Sequence, residues 1–457
     1  MRELGHTRPV QEVERRTVNV ATFVATVFDN KLPLRVEAYD GSVAEPTVES
    51  NANSVTLKIL SRDAISRILT RPGELGLARA YVAGDIDVDG DLDPLFELEL
   101  PPLRHLLNAK NVRSLLSVVG TSAIKPLAPP SAEAKPRGII HSRSRDSQVV
   151  THHYNVSNRF YEMVLGPSMT YSCAVFATPE DTLEQAQARK VDLVARKLDL
   201  KPGMRLLDVG CGWGAMGIHA ARHYGASVVG VTLSEPQRRY ATEQAELAGV
   251  SDLVEFRLQD FRDVHDGPFD AVSSIGMSEH VGRRSLPKYT QIIFDLLKPG
   301  GRFLNHAIGR PVTYDEDPQP SRGSELNRQL QIAFGLRGPS KTGSSFIDRY
   351  VFPDGELHEV GSLVTLFQAH GFEVRHVESL REHYALTLRR WVDNLAKRFD
   401  EAVDEVGIER ARVWRLYMTA SAVSFERHHI EIHQVLNVRP ENGKSGMPLR
   451  PNFEPTF

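Results

Sequence analysis

The stretch Leu206-Leu207-Asp208-Val209-Gly210-Cys211-Gly212-Trp213-Gly214 has the residue types and spacing to hold a nucleotide-like ligand: an apolar run breaks into alternating glycines just before a helical pattern that begins near Ala215. A parallel strand can there turn tightly into a helix and leave its backbone open to the ligand. Such turns serve dinucleotides and S-adenosylmethionine alike, and the G-x-G-x-x-G match from Gly212 to Gly217 does not separate the two. The next strand is more informative. Ser227-Val228-Val229-Gly230-Val231-Thr232 runs into Leu233-Ser234-Glu235-Pro236-Gln237, with no carboxylate at the strand tip, where a dinucleotide fold holds the ribose hydroxyls, and Glu235 comes slightly late for that role. S-adenosylmethionine is the better expectation.

The elements that must position these residues follow from hydrophobic periodicity. A helix is expected from about Leu183 to Leu198, followed by strands near 204–209, 227–232, 253–258, 269–275 and 302–307. The alternation specifies a doubly wound α/β sheet, in which ligands sit beyond the carboxyl ends of the strands. Five such ends should converge on one crevice: Gly210, Thr232, Asp260 with Phe261, Gly276 to His280, and His306. Upstream, residues 121–150 (Ala128-Pro129-Pro130, Lys135-Pro136-Arg137-Gly138, Ser142-Arg143-Ser144-Arg145) lack apolar periodicity and read as a linker between a catalytic domain over 151–457 and a smaller α+β unit over 1–120. That unit shows strand patterns at 34–39 and 54–59 around the Asp40-Gly41 turn, and a helix over Leu77 to Ile86 stopped by glycine.

Composition bounds the function. A chain of 457 residues exceeds one hydrophobic core, and 41% hydrophobic with 25% charged residues is ordinary globular material. A formal net charge of -3 argues against nucleic acid as a partner. No uncharged apolar run approaches the roughly 20 residues that span a bilayer, and the N-terminus, with Glu12, Glu14, Arg15 and Arg16, lacks a signal-peptide core, so a cytoplasmic location is expected. Cys173 and Cys211 lie apart without a C-x-x-C or Cys/His cluster, which argues against a disulfide framework or a metal site.

Several blocks, in order, resemble the signature motifs of cyclopropane-fatty-acid synthases: His153-Tyr154-Asn155-Val156-Ser157-Asn158, Met169-Thr170-Tyr171-Ser172-Cys173-Ala174, the 208–214 turn, Gly230-Val231-Thr232-Leu233-Ser234, Ser274-Ile275-Gly276-Met277-Ser278-Glu279-His280-Val281-Gly282 and Tyr350-Val351-Phe352-Pro353-Asp354-Gly355. The resemblance spans about 150–440. The extra N-terminal unit is similar to the longer phospholipid-acting enzymes rather than to the shorter mycolic acid synthases. It implies a class I methyltransferase, Rossmann-like sheet and a homodimer. It places S-adenosylmethionine against Tyr171, Ser172, Gly210, Gly212, Gly214, Thr232, Leu233 and Gln237, with Phe261 flanking the adenine. It also implies a bound bicarbonate held by Glu279, His306 and Tyr384 and by backbone donors at Cys173 and Ile308.

The family's reaction carries a sulfonium methyl onto a cis double bond, so positive charge develops on carbon. A carboxylate and aromatic faces stabilise that charge, and water must be excluded because it would capture the cation. Loss of a proton closes a cyclopropane; a hydride shift and loss of a different proton give a 10-methylene chain, which a partner flavoprotein reduces to a 10-methyl fatty acid. The motifs leave this branch open, and a small-molecule methyltransferase acting on an amine or hydroxyl stays as a further alternative. A serine at Ser421, where the family often has cysteine, excludes a cysteine nucleophile there. Between Gly309 and Tyr350 the chain is longer than the family pattern, with Tyr314-Asp315-Glu316-Asp317-Pro318 ahead of Leu326, Leu330, Ile332, Phe334 and Leu336; it is either an acyl-pocket lid or a surface insertion. A phospholipid substrate implies peripheral contact with the inner face of the plasma membrane. Lys135, Arg137, Arg143 and Arg145, and Arg389, Arg390, Lys397 and Arg398 near Trp391, are the candidate contacts with anionic lipid, set against the reading that they form an ordinary solvated face.

Overall fold

A computed structural model describes residues 19–71, 73–98, 120, 125–135, 137–154, 156–312 and 346–454. The 314–336 segment, Asn155, the first 18 residues and positions 121–124 and 136 of the expected linker lie outside the described residues. The chain divides into two units, one from residues 1–73 and 84–127, the other from 74–83 and 128–457.

The smaller unit holds a helix α1 (Val20–Val27), strands β1 (Arg35–Ala38), β2 (Val43–Ala44) and β3 (Thr56–Ile59), helix α2 (Arg62–Thr70) and strand β4 (Ile86–Asp89). The sheet order is β2-β1-β3-β4, with β1 and β3 parallel and the outer pairs antiparallel. Ser61 caps α2 by accepting from the Asp63 amide, and Arg67 on α2 pairs with Asp85 at 2.7 Å, which ties the helix to the start of β4. The helix expected to reach Ile86 ends earlier: α3 (Glu74–Ala83) stops at Gly84, whose φ of 80° suits a residue without a Cβ, and Ile86 already opens β4.

Helix α3 groups with the larger unit. Arg79 donates to both oxygens of Glu133 at 2.8 and 2.7 Å, and the Ala134 amide donates to the Arg349 carbonyl at 2.7 Å. The described part of 128–150 is therefore not a free tether. Its proline and charge content conceals buried anchors and the first turns of helix α4 (Arg143–Tyr154).

In the larger unit α4 is followed by α5 (Asn158–Leu165), α6 (Leu183–Leu198), β5 (Arg205–Val209), α7 (Ala215–Tyr224), β6 (Ser227–Thr232), α8 (Glu235–Leu247), β7 (Val254–Leu258), β8 (Phe269–Ile275), α9 (Ser278–Val281), α10 (Leu286–Leu296) and β9 (Leu297–Gly309). After the undescribed stretch come α11 (Phe346–Tyr350), α12 (Val360–Ala369), β10 (Glu373–Ser379), α13 (Arg381–Lys397), α14 (Phe399–Val406), α15 (Ile408–Glu426) and β11 (Glu431–Val438). The sheet runs β10-β11-β9-β8-β5-β6-β7. From β9 to β7 all neighbours are parallel, and β11 is antiparallel to both β9 and β10.

Successive residues of the parallel strands point to opposite faces, and both faces are covered, which is why these strands are apolar throughout. Leu206 and Val228 pack with α6, α7 and α8, whereas Leu207 and Val229 pack with α10 and α12. Each such leucine contributes roughly 2 kcal/mol by leaving water. The sheet is thus the doubly wound α/β sheet expected from the alternation. The expected strand at 302–307 is longer, beginning at Leu297, and β10 and β11 were not anticipated. Strand β11 buries Glu431, Gln434 and Asn437, so its pattern lacks an apolar run although it lies inside the sheet.

Candidate active site

At the carboxyl ends of β5, β6, β7 and β8 a cavity of about 330 Å³ opens, lined by Gly210, Thr232, Asp260, Phe261, Gly276 and His280, among others. Four of the five strand ends expected to converge there do so; His306, on β9, does not line it. Eight of the nine residues expected to hold the cofactor border the cavity: Tyr171, Ser172, Gly210, Gly212, Thr232, Leu233, Gln237 and Phe261. The ninth, Gly214, differs for a steric reason. It caps α7 at φ +90°, and a Cβ there would meet Phe256 at 2.7 Å and Ala241 at 2.8 Å, so this glycine serves close helix-to-sheet packing. Gly212, at φ +54°, has nothing within 4 Å of its Cβ position and leaves its backbone approachable.

Helix α6 sets the Tyr171-Ser172 segment in place. Gln187 donates to the carbonyls of Thr170 (3.3 Å) and Ser172 (2.9 Å), and Lys190 donates to Ser172 Oγ at 2.9 Å. Lys190 is buried and lines the cavity, and sequence reasoning missed it. Burial brings its ammonium down to about 8, against the opposing influence of Cys173 and Asp208. Asp208, buried on β5, accepts from Ser273 at 2.6 Å; burial lifts it to about 6, with Ser273 and Lys190 pulling the other way. Among the described residues the ammonium has a single hydrogen-bond partner, so two of its three protons remain for a ligand. A buried cation and a buried carboxylate on one wall fit the α-amino and α-carboxylate groups at the amino-acid end of S-adenosylmethionine. Elsewhere on the wall Thr232 Oγ1 donates to Gln237 Oε1 at 2.8 Å, and Phe261 offers an apolar ring braced edge-on by Tyr289 at 5.4 Å.

Beside this cavity lies an aromatic cluster. The Tyr171 ring has Trp391 at 5.3 Å, His153 and Trp414 at 5.7 Å, Tyr161 at 6.0 Å and Tyr154 at 6.1 Å, and its hydroxyl meets that of Tyr417 at 3.1 Å. The Tyr384 ring lies tilted against Phe425 at 4.7 Å in the same apolar core, which also contains Cys173 and has Ile308 packed against it. This core is buried and ringed by π faces that attract positive charge.

Of the five residues expected to hold an anion, Cys173 and Tyr384 lie in this core and Ile308 packs against it, and none of the five lines the cavity. Glu279 Oε1 accepts from the Ile308 amide at 2.7 Å, so that amide, expected as a donor to the anion, is taken up by the carboxylate. Glu279 Oε2 is buried without a hydrogen-bond partner, and burial pushes the carboxyl up to about 7 while the Ile308 amide opposes the rise. The Tyr384 phenol lies within the electrostatic reach of Cys173 and Glu279, and burial raises it well above its ordinary value. Cys173 donates to the Ala174 carbonyl at 3.2 Å, and burial raises its thiol, which leaves no nucleophilic thiolate. His306 is reached through Lys190, whose charge acts on both Cys173 and His306; its Nε2 is buried without a partner. An orphaned buried polar atom costs about 1–3 kcal/mol, and Glu279 Oε2 and His306 Nε2 are among the buried atoms without a hydrogen-bond partner.

Half of the basic residues considered as lipid contacts are ion-paired within the fold. Arg143 pairs with Asp263 at 2.8 Å, Arg145 with Asp354 at 2.5 Å, Arg389 with Glu426 at 2.7 Å and Arg398 with Glu401 at 2.7 Å. Their partners are distant in sequence for the first three pairs, which is why the runs looked unpaired.

Residues 141–435 match the family described as mycolic acid cyclopropane synthetase. A probable fatty acid methyltransferase of Mycobacterium tuberculosis is 45% identical, covering 93% of this chain and 95% of its own length. The cyclopropane-fatty-acyl-phospholipid synthase of Escherichia coli is 31% identical over 85% of this chain and 89% of its own. A crystal structure of a mycolic acid cyclopropane synthase complexed with SAH and CTAB superposes with a TM-score of 0.57 at 31% identity, covering 64% of this chain and 97% of that one.

Proposed function

The chain belongs to the cyclopropane synthase family of S-adenosylmethionine-dependent methyltransferases, and from that premise we propose that it methylates the cis double bond of an unsaturated phospholipid acyl chain and then removes a proton to close a cyclopropane ring. The observation that carries this reading is the buried aromatic core beside the cofactor cavity, against which Ile308 packs while its amide donates to the buried Glu279. An amine or hydroxyl acceptor attacks through a lone pair and forms no carbocation for water to trap, so exclusion of water matters less there.

S-adenosylmethionine supplies an electrophilic methyl group, and the wall formed by Tyr171, Ser172, Gly210, Gly212, Thr232, Leu233, Gln237 and Phe261, with Lys190 and Asp208, holds it. The rings of Tyr171, Trp391, Trp414 and Tyr417 face the carbon on which charge grows and keep water from it. Bicarbonate supplies a small base in the second half of the reaction. His306 Nε2, the Tyr384 hydroxyl and the Cys173 amide donate to it, while Glu279 Oε2 shares or accepts a proton, a task suited to a carboxyl near 7. The protein works at the inner membrane surface as a homodimer, and the unit over 1–120 serves lipid association. Among the described residues no helix is long and apolar enough to cross a membrane.

A second reading is favoured by the 45% identical relative, whose name specifies methyl transfer to a fatty acid and no ring. Loss of a different proton would then leave a methylene branch for a flavoprotein reductase. Both readings predict that lysate containing the protein and methyl-labelled S-adenosylmethionine places label in the organic phase after lipid extraction. Label confined to the aqueous phase contradicts both and favours a small-molecule acceptor.

A further inference from the structure

Lys197, two turns on from Lys190 along the same face of α6, is buried. Its ammonium pairs with Glu378 on β10 and donates to Gln434 Oε1 on β11 at 2.7 Å. The other end of that amide, Nε2, lies 3.0 Å from His306 Nδ1 on β9, directly across the β9–β11 pairing. An ammonium has protons and no lone pair, so the amide atom facing Lys197 must be the oxygen. The nitrogen therefore faces the imidazole, and it can only donate. His306 Nδ1 must accept, which leaves the ring proton on Nε2.

We infer that Lys197 and Gln434 form a relay that fixes His306 as its Nε2-protonated tautomer, so that the ring presents an N–H donor to the anion. The inference rests on the reading of His306 as an anion ligand for its purpose, though not for its geometry. Nε2 is the ring atom that lacks a partner, as a donor reserved for a ligand would. The alternative of a doubly protonated ring is disfavoured because burial, first, and then Lys190, Lys197 and His433 all act against the positive charge that a second proton would bring. Lys197 and Gln434 are positioning residues and touch no reacting atom.

The wild-type protein labelled with ¹⁵N-histidine tests the geometry without any variant. Long-range proton–nitrogen correlations should show His306, assigned by its loss in His306→Ala, protonated at Nε2. An Nδ1-protonated or doubly protonated ring overturns the relay. In Gln434→Glu an oxygen replaces the donor, and the ring proton should move to Nδ1; an unchanged spectrum overturns the relay. Lys197→Arg, which keeps a donor towards Gln434, should retain the wild-type tautomer, whereas Lys197→Met should give a mixture. With the tautomer reversed in Gln434→Glu, turnover should fall by about 10²-fold, with S-adenosylhomocysteine affinity unchanged within about twofold. A reversed tautomer with wild-type turnover leaves the relay standing and refutes the assignment of His306 to the anion.

Discussion

A buried lysine beside a glycine turn is an expensive residue, because taking an ammonium out of water costs several kcal/mol unless other groups answer its charge. Lys190 has one hydroxyl partner among the described residues and no carboxylate within ion-pair distance, so its cost is best understood as offset when an anionic group enters the cavity. Lys190→Met should weaken S-adenosylhomocysteine binding at least about tenfold by calorimetry, since a charged hydrogen bond contributes about 1.5–3 kcal/mol. It should weaken 5′-methylthioadenosine, which lacks the amino-acid end, far less. The pH dependence has a definite sign. An unfolded lysine near 10.5 and a folded one near 8 mean that the unfolded chain binds more protons between those values, so the stability of the ligand-free wild type climbs from pH 8 to 10.5 relative to Lys190→Met. A flat difference between the two would show that burial does not lower the Lys190 ammonium. None of this was legible in the sequence: in the amphipathic pattern of 183–198, Gln187, Lys190 and Lys197 read as solvent-facing positions, and only the fold shows that they share one buried face. The residues flanking the glycine turn were legible because their constraint is local backbone geometry.

Glycines in the β5–α7 turn divide between two tasks, and substitution should separate them. Gly214→Ala forces a Cβ against Phe256 and Ala241 at a φ of +90°, so its effect should appear as a lower melting temperature, of order 2–4 kcal/mol. Gly212→Ala meets open space and only a mild left-handed penalty of about 1–2 kcal/mol; its larger effect should be on cofactor affinity. Comparable melting temperatures in the two variants would contradict this division. The parallel strands were readable as short continuous apolar runs bounded by turn signals, and α6 by its amphipathic helical period. Strands β10 and β11 escaped because β10 is a half-exposed edge carrying Glu373, Arg375 and Glu378, and β11 spends inward positions on Gln434 and Asn437. One of those positions, Gln434, is where β11 meets His306 and Lys197, so the strand least legible in sequence is the one that reaches His306.

Across the whole molecule, the larger unit places two chemistries side by side: a polar wall with buried charges of both signs, and an aromatic core without ion pairs at its centre. That division suits a reaction between a charged donor and an apolar acyl chain, and the sequence disclosed it through the ordered motifs and not through composition. The distribution of basic residues was misleading, since Arg143, Arg145, Arg389 and Arg398 hold the fold together through ion pairs. The central claim is that a carbon-centred cation forms in this core and is discharged by loss of a proton. Expression in a host rich in unsaturated phospholipids, followed by mass spectrometry and proton NMR of the fatty acid methyl esters, reads that event directly. The account predicts fatty acids heavier by one CH₂ unit with upfield ring protons, or vinylidene protons if the other proton is lost, and neither product in Glu279→Gln. Unmodified acyl chains from an active, cofactor-binding protein, or hydroxylated chains showing that water reaches the cation, would contradict it.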